Sequence, residues 1–113
     1  GGTSSGQARA INGQVKGAVS AAGSAITDAT DLIASINVIT TAAASTGVQL
    51  QSAEIGDQVE ILNLGANAVT VYPDSSSNRI NQLTAGSGFT LGINTAVKLR
   101  KFTSARWIAF LSA

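Results

Sequence analysis

The sequence predicts an all-β fold: a small sandwich or barrel of about 7–8 short antiparallel strands, preceded by an extended N-terminal arm. Short β-prone runs recur at spacings of about 8–12 residues and are broken by Gly, Asn and Ser turns, the pattern of such folds. Within the runs, apolar and polar residues alternate with period 2, as in Gln58-Val59-Glu60-Ile61. The length of 113 residues predicts one domain. The boundary falls near residue 30, with an arm over 1–30 and the β-domain over 31–113.

Taken in order, residues 1–14 (GGTSSGQARAINGQ) are rich in Gly and polar residues and are expected to form the arm, held against a partner subunit. Two readings fit residues 15–36. Val15, Val19, Ala22, Ile26, Ala29, Ile33 and Ile36 carry the 4-3 spacing of a short coiled-coil seam. Against this, Gly17 and Gly23 each cost about 1 kcal/mol in a helix, and the flanking charges of a coiled coil are missing. We therefore expect 15–30 to be extended arm with a short helical turn, and 32–41 to be the first long strand. Val48-Gln49-Leu50 is a short strand. Gly56–Pro73 reads as a β-hairpin: Gly65-Ala66-Asn67-Ala68 supplies turn residues tolerant of positive φ, Val69–Tyr72 is the return strand, and Pro73 ends it because it has no N–H for the ladder. Ile80 and Leu83 are expected anchors, and Phe89-Thr90-Leu91 is a short strand. Ala96–Phe102 puts Val97 and Leu99 on one face and Lys98 and Arg100 on the other. Thr103-Ser104-Ala105 turns the chain into Arg106–Leu111, where Trp107, Ala109 and Leu111 oppose Ile108 and Phe110. This strand is apolar on both faces, so it is central in a sheet or covered by another subunit. No internal repeat stands out.

Composition limits the function classes. Charged residues make up 12% of the chain against about 25% in ordinary soluble domains. A surface of Ser, Thr, Asn, Gln, Gly and Ala is easily desolvated, which suits a protein lying against neighbours; a weakly charged extracellular domain would share it. The net charge of +1 gives no argument for nucleic acid or an anionic membrane. The charges are segregated, however. All from Asp28 to Asp74 are acidic, and all from Arg79 onward are basic. Cross-strand pairing or a basic face for an acidic partner would each account for this. With no Cys and no His there is no disulfide framework or thiolate, and the commonest general base and metal ligand are missing. No apolar run approaches the roughly 18 residues of a membrane span. No signal peptide is evident, and the start at Gly1 is expected to reflect trimming or removal of an initiator methionine.

No catalytic, metal or cofactor constellation emerges. Asp28 and Asp31, and Glu54, Asp57 and Glu60, recur at three-residue spacing, but without a calcium-loop pattern they read as solvated charges. Gly86-Ser87-Gly88 lacks the Lys and helix of a phosphate loop. Trp107 and Tyr72 are the aromatics suited to stacking on a sugar, although the alternation around Trp107 assigns it to the core. Lys98, Arg100 and Lys101 form the strongest basic cluster, and Arg9, Ile11 and Lys16 are the candidate anchors of the arm.

Over roughly two thirds of its length the chain resembles small β-domains of tailed-bacteriophage virion proteins. The matching pieces are Ile36-Asn37-Val38-Ile39-Thr40-Thr41, Val48-Gln49-Leu50, Gly56–Asn63, Gly65-Ala66-Asn67-Ala68, Val71-Tyr72-Pro73, Ile80-Asn81 and Arg106-Trp107-Ile108-Ala109. The resemblance implies a structural, often trimeric protein of the capsid surface or tail fibre, and it brings no catalytic residues. We expect a non-enzymatic head decoration, or cement, protein on the outer capsid surface. Its partners would be the major capsid protein and two further copies of itself, with no nucleic acid, membrane, small-molecule substrate or cofactor. The alternative is a trimeric tail-fibre or tail-tip domain that binds a receptor or glycan. The candidate partner-binding residues are Arg9, Ile11, Lys16, Lys98, Arg100 and Lys101.

Overall fold

The computed structural model describes residues 15–111. The chain is all-β: ten short strands and no helix occur among the described residues. They are β1 (Val15–Ser20), β2 (Thr30–Asp31), β3 (Ile36–Thr41), β4 (Gly47–Gln49), β5 (Gln58–Asn63), β6 (Val69–Tyr72), β7 (Arg79–Ile80), β8 (Phe89–Leu91), β9 (Thr95–Thr103) and β10 (Arg106–Leu111).

The strands form two mixed sheets, one of six strands ordered β1-β3-β5-β9-β10-β7 and one of four ordered β2-β4-β6-β8. Up to β8 the chain crosses from one sheet to the other at every connection. Through β6, each crossing returns beside the strand laid down two elements earlier, so β1/β3, β3/β5, β2/β4 and β4/β6 all pair in parallel, whereas β7 pairs with β10 at the far edge of the larger sheet. This is a β-solenoid, whose coils begin in the larger sheet at Val15, Ile36 and Gln58. The expected antiparallel sandwich or barrel is thereby corrected. Antiparallel pairing between strands is limited to β5/β9, β9/β10 and β6/β8, toward one end of the solenoid, with an isolated antiparallel bridge between Ala22 and Gly47 near the other.

The expected hairpin over Gly56–Pro73 does not form. β5 and β6 lie in different sheets and are joined by a corner. The side chain of Asn63 builds that corner: its Oδ1 accepts from Gly65 N at 2.9 Å, and its Nδ2 donates to Asn67 O at 3.0 Å and to Leu91 O in the facing sheet at 3.1 Å. Asn67 Nδ2 then donates to Ala42 O at 3.0 Å, tying the corner to the one stacked before it. Gly65 is needed because a Cβ there would come within 2.7 Å of the Ala42 Cβ. Gly and Asn thus serve a corner between sheets as readily as a tight hairpin turn.

Residues 15–30, expected as arm, instead carry β1 and the first residue of β2, with Val19 and Ala21 in the core. The expected strand over 32–41 is in place only over 36–41, and no coiled-coil helix occurs among the described residues. Both sheets turn their inner faces to one core. Val19, Ile39, Val59, Ile61, Val97, Leu99 and Trp107 come from the larger sheet, and Val48, Val69, Val71 and Leu91 from the smaller. Ile80 is fully buried and Leu83 packs against the core, as their spacing implies. β10 lies inside the larger sheet, between β9 and β7. The last nine-residue strand and its partner, β9 and β10, close the solenoid with the hairpin turn read at 103–105.

Candidate interaction surface

The outer face of the six-stranded sheet is built by alternation. On β9, Val97, Leu99 and Lys101 point into the core, so Ala96, Lys98, Arg100 and Phe102 point out. On β10, Trp107 is buried, which leaves Arg106, Ile108 and Phe110 on the outer side. On β3 and β5, burial of Asn37, Ile39, Val59 and Ile61 turns Ile36, Val38, Gln58, Glu60 and Leu62 outward.

Strand register places these residues in rows. Ile36, Glu60, Lys98 and Phe110 lie side by side across four strands. Gln58, Arg100 and Ile108 form the next row, and Val38, Leu62 and Ala96 a third. Directly opposed residues hold their Cβ atoms about 4.5–5.5 Å apart, so Lys98 is flanked by a carboxylate and an aromatic ring. Phe102 and Phe110 are 56% and 54% exposed, a large apolar presence on a face that also carries two cations. Exposed aromatics beside a guanidinium group are the composition of a protein-docking patch.

The sequence-level candidates divide. Lys98 and Arg100 belong to this face. Lys101 does not: the same alternation turns it inward, where its Nζ pairs with Asp74, and it is removed from the docking set. Lys16 is exposed but lines a separate recess of about 290 Å³ at the β1 end, together with Asp31, Ile33 and Asn37. Arg9 and Ile11 lie outside the described residues. Phe102, Ile108 and Phe110 were not among the candidates, although period-2 alternation in β9 and β10 places them beside Lys98 and Arg100.

Two of the acids serve the backbone. Asp28 Oδ1 accepts from Ser24 N and Ala25 N at 3.0 and 2.9 Å, and Asp57 Oδ2 accepts from Glu54 N at 2.9 Å, each stabilising a turn. Among the described residues no group of three or more Asp, Glu, His or Cys side chains is placed to hold a metal ion. Trp107 is fully buried, so a glycan platform built on it is not available.

No protein-family model, curated protein or solved structure matches this chain.

Proposed function

We propose that this chain is a structural virion protein, a capsid decoration or cement protein that binds the assembled phage head and bridges major capsid proteins as a homotrimer. The observation that carries this reading is the outer face of the six-stranded sheet, where Lys98, Arg100, Phe102, Ile108 and Phe110 stand together. The low charge content of 12% fits a molecule that works by lying against others. The resemblance to virion β-domains supplies the identity of the partner. The mechanism is linkage. A ligand that binds the closed shell, and not its dissociated subunits, stabilises the shell by about 2.7 kcal/mol when present at a hundredfold its Kd. Three linked copies add avidity. Arg9 and Ile11 are assigned to the same contact.

A second reading, a tail-fibre domain that binds a receptor or glycan, draws on the coil stacking, which among the described residues puts β1 and β2 at one end of the two sheets and β7 and β8 at the other. Cosedimentation separates the two. The capsid reading expects this chain to pellet with purified shells that lack it, and to raise their resistance to heat or chelation. Failure to bind such shells, with binding to host cells instead, supports the fibre.

A further inference from the structure

In a solenoid, sequence order becomes position along the axis, so the segregation of charge along this chain becomes a difference between its two ends. The first end exposes β1 and β2, the outermost strands of the two sheets. Among the described residues it carries Asp28 and Asp31 with Lys16 as the cation. Two apolar side chains stand out there, Val15 at 64% and Ile33 at 61% exposure. The recess beside them is lined by Asp31 and by the buried Asn37, whose Oδ1 has no donor. A carboxylate beside an unpaired carbonyl oxygen suits a guanidinium, which has five donors and no acceptor.

The opposite end has the complementary character. An open groove of about 760 Å³ runs between β8 and β10, with an apolar lining of Leu83, Phe89, Ile108 and Leu111. Arg106 lines it, and Arg79 is its direct neighbour across β7. Among the described residues no acid lines this groove. The strand edge there is also incomplete. β7 covers β10 only at Arg106 and Trp107, and the next contact comes from the Asn81 side chain, whose Oδ1 accepts from Ala109 N at 2.9 Å.

We propose that the protein self-associates end to end: the β8/β10 groove of one copy receives the β1/β2 end of a second, with Arg106 facing Asp31 and Val15 and Ile33 entering the apolar groove. This contact joins two different surfaces, so it either closes a ring or runs on as a filament. It stands independently of the capsid partner proposed above.

Charge-swap mixing tests it. Sedimentation velocity of the full chain over a concentration series is expected to show assembly that weakens with salt. Arg106→Glu and Asp31→Lys each place like charges across the contact, and each is expected to weaken assembly by at least about tenfold. Mixing the two variants restores opposite charges at every junction and is expected to recover assembly. Leu111→Ser, which leaves the charges intact, is expected to weaken it as well. Melting temperatures of all variants are compared with the parent, and the exposed Arg79→Glu replaces Arg106→Glu if the latter unfolds. A parent chain that stays monomeric at every concentration, single variants that assemble like the parent, or a mixture without recovery would each overturn the proposal.

Discussion

Lys101 and Asp74 form a 2.6 Å ion pair inside the molecule, their side chains 7% and 3% exposed. Asp74 also accepts from Asn78 Nδ2 at 2.6 Å and from the indole Nε1 of Trp107 at 3.0 Å, and the ammonium lies 5.7 Å from the centre of the Trp107 ring. The carboxylate thus joins the loop after β6 to β9 and β10. Removing it leaves a buried cation and a buried indole N–H with no acceptor. Asp74→Ala is expected to destabilise the fold by about 3–5 kcal/mol, whereas replacing both partners, as in Asp74→Leu with Lys101→Met, is expected to recover only the part due to the unpaired cation, because the Trp107 indole N–H still lacks its acceptor. Urea unfolding of the single and double variants measures both.

The same group predicts a pH dependence. Burial by itself raises the pKa of Asp74, but hydrogen bonds from Asn78, Lys101 and Trp107, together with the Lys101 charge, outweigh it and hold the carboxyl below its usual value. A depressed folded-state pKa means that the stabilisation is complete above the unfolded value of about 3.9 and is lost as pH falls through the folded one. The stability gap between the parent and Asp74→Asn is therefore expected to be constant from pH 7 to about 5 and to close below about pH 4. Denaturant midpoints at several pH values measure it.

Two glycines separate close approach from mere presence. At Gly47 a Cβ would lie 2.7 Å from the Tyr72 ring and 2.9 Å from the Thr70 carbonyl oxygen, its parallel neighbour on β6. At Gly17 it would meet nothing within 4 Å. Gly47→Ala is expected to cost about 1–3 kcal/mol through overpacking. Gly17→Ala is expected to stay within about 0.5 kcal/mol of the parent. Thermal unfolding of both variants compares them directly.

On the outer sheet face, function and stability should separate. Lys98→Gln, which sets no like charge against Glu60, and Arg100→Glu are exposed changes expected to alter folding stability by no more than about 0.5 kcal/mol. Their effect on shell binding is expected to be large, to grow as salt is lowered, and to be matched by Phe110→Ser at any salt. Cosedimentation across a salt series reads out all three.

Much of this face is legible in the sequence. The alternation Val97-Lys98-Leu99-Arg100 fixes which side chains of β9 point outward, and Trp107 does the same for β10. Applied one residue further, the rule also turns Lys101 inward, so a local run of basic residues is no guide to a basic surface. The coil stacking is not legible. Parallel partners of the stacked coils lie 18 to 24 residues apart, from Thr30 beside Val48 to Ile36 beside Glu60, and the types opposed are unlike, Asn37 beside Ile61 and Ile39 beside Asn63. No sequence repeat marks such stacking. The corner chemistry at Gly65 and Asn67 also mimics that of a hairpin. Asp74 gave no signal among Ser and Asn residues, because its partners come from strands 27 and 33 residues away.

The most direct test of the account is an electron cryomicroscopy reconstruction of shells decorated with this protein. Density for the solenoid is expected on the outer surface of the head, with Lys98, Arg100, Phe102 and Phe110 turned toward the major capsid protein. Bound density with this sheet face open to solvent, or shells that remain bare at saturating protein, would contradict it.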